Sequence, residues 1–247
     1  NTNKLFMVRD RLGQKPLFYN YRDSNIIFGS NLKSLATLNG SFEINDKGVY
    51  EYLASGVVSS PNTILKNFYK IEPGHVMTYC LVDFKILSNL PYWNIESFTD
   101  EKPYQEEKFY NLFESAVLLR SKADVETASF LSGGIDSSSI IKKQIDLNLN
   151  VNTFSMSFSN QNYDESKWFS IVAEKYNTNH KQSTISALLD LDKVHESIDI
   201  FDEPYADSST IPSYFLAKEI SKYYKVAISG DGGDELLGGY EHIKRVL

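Results

Sequence analysis

Apolar residues recur along the chain with two different rhythms, and the change between them falls near residue 100. Before it, short apolar runs predict strands at Leu5–Val8, Pro16–Tyr21 and Asn25–Gly29, divided by turn-rich stretches at 9–15 and 22–24. Asn31–Leu38 predicts one or two helical turns. Val49, Tyr50 and Leu53 recur at helical spacing over Asn45–Leu53, with Asn45 or Asp46 as the cap. His75–Val82 and Phe84–Leu87 predict a hairpin about Asp83, and Tyr92-Trp93 closes this half. Ile95–Pro103 is polar and reads as a linker, which sets domains at 1–100 and 101–247.

Beyond the linker, helices and strands alternate. Phe109, Leu112, Phe113, Ala116 and Val117 mark one broad face of a helix over Tyr104–Arg120. Strands are expected at Ala128–Leu131, Val151–Phe158, Lys181–Thr184 and Val226–Ser229. Helices are expected at Ser137–Leu147, Asp164–Tyr176, Ala187–Ile198 and Ile211–Tyr224. Strands separated by helices of this length predict βαβ units and a parallel sheet, an α/β fold.

The 247 residues are 42% hydrophobic and 23% charged, an ordinary globular composition, enough for one large domain or two modest ones. Net charge is −7, and no Lys/Arg cluster appears, so nucleic acid and an anionic membrane surface are not expected partners. No apolar run reaches membrane-spanning length. Cys80 is the single cysteine, which excludes a disulfide framework and points to a reducing, cytoplasmic setting; in the run Val76–Val82 it reads as a small buried thiol. The four histidines share no metal spacing, and no Gly-x-Ser-x-Gly elbow supports a serine hydrolase. The aromatic residues are expected mostly in the core.

Chemistry concentrates in two loops. Ser132-Gly133-Gly134-Ile135-Asp136-Ser137-Ser138 stands between a predicted strand and a predicted helix. Unpaired N–H groups and the positive dipole end of a helix start form an anion site, and glycines let the main chain approach a phosphate. An acid there repels polyphosphate unless a cation intervenes, so Asp136 reads as a Mg²⁺ ligand. No Gly-Lys-Ser/Thr follows, so this is not a Walker loop; it resembles the pyrophosphate loop of the ATP pyrophosphatases. The second loop, Gly230-Asp231-Gly232-Gly233-Asp234-Glu235, follows the strand Val226–Ser229. Loops at the carboxyl ends of parallel strands share one ligand edge, so Asp234 is expected as the second Mg²⁺ carboxylate. Asp202-Glu203-Pro204-Tyr205-Ala206-Asp207-Ser208-Ser209 is a third polar cluster. A helix cap explains its serines but not Asp202, Glu203 and Asp207, which leaves a substrate-side role open.

Together, Phe130–Ser138, Asp202-Glu203-Pro204 with Ala206-Asp207-Ser208, and Ser229–Glu235 with Gly238-Gly239-Tyr240 resemble the glutamine-dependent asparagine synthetases. Val8–Tyr19, Ile71-Glu72-Pro73-Gly74-His75 and Tyr92-Trp93 are similar to that family's glutaminase domain. The resemblance implies part of an α+β N-terminal-nucleophile glutaminase domain over 1–100 and part of a PP-loop ATP pyrophosphatase domain over 101–247. It implies ATP and Mg²⁺, with aspartate and glutamine as further small-molecule substrates, and it leaves a homodimer open. Ammonia from glutamine would attack a β-aspartyl-AMP intermediate, yielding asparagine, AMP and pyrophosphate. By motif, Asp10 would hold the glutamine α-amino group. Leu131, Ser132, Gly133, Gly134, Asp136, Ser137, Ser138, Met156, Ser229 and Gly230 would line the ATP site, and Asp136 and Asp234 would bind Mg²⁺. Asp231 stands where an acid, often Glu, assists the attack of ammonia. The family's N-terminal cysteine nucleophile and its catalytic lysine find no counterpart, so the chain reads as a fragment. Amidation of a sugar acid, lactam closure, sulfur or nitrogen transfer to tRNA, and a non-catalytic nucleotide-binding fragment are the competing readings.

Overall fold

The computed structural model describes residues 3–98, 103–158, 164–185 and 191–240. They form two compact units: Asn1–Lys102 with His195–Ser209, and Pro103–Val194 with Thr210–Leu247.

The first unit contains two three-stranded antiparallel sheets. One has β1 (Lys4–Val8) beside β5 (His75–Cys80), which pairs in turn with β6 (Lys85–Pro91). In the other, β2 (Phe18–Arg22) lies between β3 (Asn25–Gly29) and β4 (Phe68–Lys70). Alternation gives each strand an inward row. Met7, Met77 and Tyr79 from the first sheet bury one layer with Tyr19, Tyr21 and Ile26 of the second. A second layer lies under α1 (Leu32–Asn39), where Leu32, Leu35 and Ala36 meet Phe18, Leu65 and Phe68. Full burial of such side chains contributes about 1.5–3 kcal/mol each.

Asn31 caps α1 by accepting from the Ser34 N–H at 2.8 Å. For α2 (Asp46–Ser55) the cap is Asn45, which accepts from the Lys47 N–H. Strand β4 is absent from the sequence expectations, because three residues leave no periodicity to read. The expected linker contains a 3-10 turn at Ile95–Phe98, and residues 99–102 lie outside the described set. Cys80 is half-buried rather than buried, since it ends β5 and its Sγ accepts from the Asp83 N–H of the turn. The aromatics are less internal than expected: Phe42, Tyr50 and Tyr104 are exposed.

The second unit is α/β, as expected. Its parallel sheet has the order β10 (Val226–Ile228), β7 (Thr127–Phe130), β8 (Asn152–Phe158), β9 (Asn179–Ile185). Its helices are α3 (Glu106–Arg120), α4 (Ile135–Asp146), α5 (Ser166–Tyr176), α7 (Thr210–Ile220) and α8 (Gly233–Leu237). Between α5 and α7, α6 (Leu191–Asp199) carries the chain from this unit into the first; the expected start of that helix at Ala187 lies outside the described residues.

Leu131, Ile141, Val151, Phe169 and Ala173 form the core shared with α4 and α5. Ala128, Phe154, Ile220 and Tyr224 form a separate core with α7. The sheet therefore buries both faces, as parallel sheets do. Polar residues enter it in pairs: the Ser129 hydroxyl donates to Gln144 Oε1 at 2.8 Å. Helix α8 is a further addition, because its glycine-rich start reads in sequence as loop.

His180 on β9 is the titratable member of this interior. Its Nδ1 lies 2.9 Å from Thr153 Oγ1, its Nε2 is buried without a protein partner, and its ring stands 5.5 Å from that of Phe169. Desolvation lowers its pKa. The unfolded chain, with His near 6.5, thus takes up a proton that the folded unit resists. Stability is full above about pH 6.5 and falls as pH drops through that value, by at most about 1.4 kcal/mol per pH unit for one proton. Urea midpoints between pH 7.5 and 5.5 should fall more for the natural chain than for His180→Phe; equal slopes would show that His180 does not carry the effect.

Candidate functional site

Two loops leave the carboxyl ends of adjacent parallel strands. The register pairs Ala128 with Ala227 and Ser129 with Ile228, so Ser132 and Gly230 emerge side by side. The first loop is self-braced. Ser132 and Ser137 join their hydroxyls at 3.0 Å, the Gly134 N–H donates to Ser132 Oγ at 3.2 Å, and the Ser132 N–H donates to Ser137 Oγ at 3.3 Å. Gly134 is the N-cap of α4 and supplies no side-chain cap, so N–H groups of the first turn lack a side-chain acceptor. Ser138 Oγ is buried with no protein partner.

Gly133 is required twice over. Its φ is +85°, and a Cβ there would stand 2.6 Å from both the carbonyl carbon and Cβ of Trp168, in the first turn of α5. The first loop is thus wedged between its own helix and the next one.

Asp136 joins the two loops. A Cβ on Gly230 would lie 3.1 Å from Asp136 Cβ, and one on Gly233 would lie 2.9 Å from Asp136 Cγ. The glycines of the second loop leave room for this carboxylate, and Asp234 follows Gly233 directly. Asp234 turns its own carboxylate over Gly239, where a Cβ would collide with Oδ1. Asp231 is held by Ser229, whose hydroxyl donates to Oδ2 at 2.9 Å. Glu235 accepts from the Tyr240 hydroxyl at 2.8 Å, and that bond pushes the phenol pKa up to about 12. Leu131 continues β7 toward β8, its N–H donating to the Phe154 carbonyl at 3.0 Å, and Met156 lies two residues further along β8, at the same edge. The sequence-predicted nucleotide residues, from Leu131 to Ser138 with Met156, Ser229 and Gly230, therefore share one edge of one sheet.

Among the described residues no group of three or more His, Cys, Asp or Glu side chains could by itself hold a metal ion. A dedicated protein cage is not built there. Mg²⁺ takes one or two carboxylates with substrate phosphates, and the carboxylates of Asp136 and Asp234 on these two loops are of the type that fits that donor set.

In the first unit, the three family-like segments tie into one knot. Arg9 donates from Nη1 to the Ile71 carbonyl at 2.7 Å, from Nη2 to Gly13 at 3.0 Å and from Nε to Lys15 at 3.1 Å. The Tyr92 hydroxyl donates to the Arg9 carbonyl at 2.8 Å, and the Gly74 N–H donates to the Asp10 carbonyl at 2.9 Å. The Asp10 carboxylate accepts from the Lys15 and Gln14 N–H groups, each at 2.9 Å, which lower its pKa. Asp10 is half-buried, and two backbone bonds leave its carboxylate acceptor capacity for an ammonium group. Arg9 escapes a reading for chemistry because its partners are carbonyls spread over sixty residues. Asp202 and Glu203, the acids without a sequence explanation, also lie in this unit.

The asparagine synthase family model matches residues 108–247, and the glutamine amidotransferase domain model matches residues 1–93. A Methanocaldococcus jannaschii relative is 34% identical over 250 residues, covering 96% of this chain and 47% of its own length. Asparagine synthetase [glutamine-hydrolyzing] 1 of Bacillus subtilis is 32% identical over 250 residues, covering all of this chain and 39% of its own. The chain thus spans less than half the length of these relatives. An NH3-dependent NAD synthetase structure from Campylobacter jejuni aligns over 56% of this chain and 62% of its own, with 18% identity and a TM-score of 0.39, a likeness that carries no argument.

Proposed function

Because the chain belongs to the asparagine synthase family, we propose that it is the part of an ATP-dependent amidotransferase that joins a glutaminase segment, residues 1–100, to a nucleotide-using segment, residues 101–247. The reaction is formation of asparagine from aspartate, with glutamine or ammonia as nitrogen donor. One observation carries this reading: Asp136 of the first loop lies against Gly230 and Gly233 of the second.

A carboxylate oxygen is a poor leaving group. Attack of the aspartate β-carboxylate on the α-phosphorus of ATP forms β-aspartyl-AMP and breaks the bond to pyrophosphate. Ammonia then attacks the acyl carbon, loses a proton, and expels AMP. In this scheme the N–H groups at the start of α4 receive the phosphates. Mg²⁺, held by Asp136 and Asp234, would supply charge neutralisation for the departing pyrophosphate. Asp231, oriented by Ser229, is the candidate acceptor of the ammonia proton. Asp10 is the candidate partner of the glutamine α-amino group.

No helix among the described residues is long and apolar enough to cross a membrane. The test is to titrate this chain with Mg²⁺-ATP and, with the full-length protein that contains it, to supply ATP, Mg²⁺ and ammonia or glutamine and measure AMP, pyrophosphate and asparagine. The proposal expects all three to depend on aspartate. Pyrophosphate release that ignores aspartate but follows another carboxylate would contradict the choice of acceptor.

A further inference from the structure

The chain leaves the second unit after Val194, spends residues 195–209 in the first unit, and re-enters the second at Thr210. A simple crossing would need no acids, yet this excursion carries two whose oxygens each accept at least one bond from the first unit. Asp202 Oδ2 accepts from the Leu32 N–H at 2.8 Å, and Oδ1 accepts from Asn31 Nδ2 at 2.7 Å and from the Lys33 N–H at 3.3 Å. These N–H groups are the orphan donors at the start of α1, satisfied from 170 residues away. Glu203 Oε1 accepts from the Ile64 N–H at 2.8 Å, while Oε2 pairs with Lys70 Nζ at 2.6 Å. Both side chains of that ion pair are 13% exposed.

Backbone contacts flank the acids. Lys33 Nζ donates to the Asp199 carbonyl at 2.5 Å, and the Ala206 N–H donates to the Gly56 carbonyl at 2.9 Å. Gly56 has φ +80°, and a Cβ on it would stand 3.2 Å from Ala206 Cβ, so the segment seats closely. Asp207 differs: it is exposed and accepts from the Ser209 N–H at 2.7 Å, a local turn just before α7.

We infer that Asp202 and Glu203 are positioning residues that lock the 195–209 excursion onto α1 and β4 of the first unit, and that neither binds nucleotide or substrate. Glu203 is 13% exposed with an N–H on one oxygen and an ammonium on the other, and Asp202 already accepts three N–H bonds, so little acceptor capacity faces a cation or an amino group. The inference depends on the proposed function only for its choice of probe.

The test uses the full chain and two readouts, amide hydrogen exchange and Mg²⁺-ATP titration. Glu203→Gln should speed exchange at Ile64 and Ala206 by about tenfold or more, and Asp202→Ala should do the same at Leu32 and Lys33. In both variants the ATP dissociation constant should stay within about twofold of the natural chain. Lys70→Met with Glu203→Met removes the charge pair as a unit and should return Ala206 exchange to within about threefold of the natural rate with ATP and aspartate affinity unchanged, and a ligand role for Glu203 would not allow that unchanged affinity. Unchanged exchange in the single variants, or an ATP or aspartate affinity that falls about tenfold or more without a change in exchange, overturns the inference. Failure of the natural chain to bind ATP would count against the proposed function, while the exchange results would still decide this one.

Discussion

Gly133→Ala should leave a chain that unfolds earlier and does not hold ATP. Two costs act at one carbon. A Cβ at φ +85° is strained by about 1–2 kcal/mol. The same Cβ would stand 2.6 Å from two atoms of Trp168 and 2.7 Å from the Phe169 nitrogen, all at the start of α5. Backbone cannot yield as a flexible side chain can, so overpacking adds about 1–3 kcal/mol. The relief available is to shift the loop away from α5, which displaces the N–H groups proposed to receive phosphate. Gly134→Ala is the control. Its φ is −69° and the nearest obstacle to a Cβ is Ser132 Oγ at 3.3 Å, so the cost should be only that of Ala for Gly at an N-cap, about 1 kcal/mol or less. Denaturant melts of the two variants, with ATP titrations beside them, check the contrast. Equal behaviour would mean that α5 does not constrain the loop.

Lys70→Met should cost up to about 3–5 kcal/mol, the penalty for leaving a largely buried carboxylate without its cation. Glu203 would keep only the Ile64 N–H, and the Val58 carbonyl would lose the donor that Lys70 Nζ supplies at 2.6 Å. Replacing both partners by Met removes the uncompensated charge and should recover most of that loss. Recovery stays incomplete because Ile64 then lacks its acceptor. Urea midpoints of the natural chain, the single variant and the double variant measure this. A single variant within about 0.5 kcal/mol of the natural chain would show that the pair is open to water.

These two sites differ in how far the sequence discloses them. The strand, glycine turn and helix from Ala128 to Leu147 are legible because each element obeys its own local rule: a short apolar run, φ-permissive residues, then apolar residues at helical spacing. The Asn45 cap of α2 is legible for the same reason. Strand β4 is not, being three residues long and defined by its pairing with β2. Helix α8 is hidden by Gly233, a poor helix former whose lack of a side chain makes room for Asp136. Family likeness names Asp10, Asp136, Asp231 and Asp234, but it leaves Asp202 and Glu203 without a partner. Those partners, Leu32, Ile64 and Lys70, lie more than 130 positions upstream, and no local pattern reports contacts of that range. Arg9 illustrates the same limit, since carbonyl acceptors have no residue-type signature.

The most direct test of the shared edge is a double-mutant cycle on ATP affinity with Asp136→Asn and Asp234→Asn, in Mg²⁺ and in EDTA. If both carboxylates serve one Mg²⁺ on the triphosphate, each single change weakens binding about tenfold or more in Mg²⁺, and the double change costs little beyond either one. In EDTA the four chains should differ little. Additive losses in Mg²⁺, or single variants that bind ATP as the natural chain does, would contradict the account.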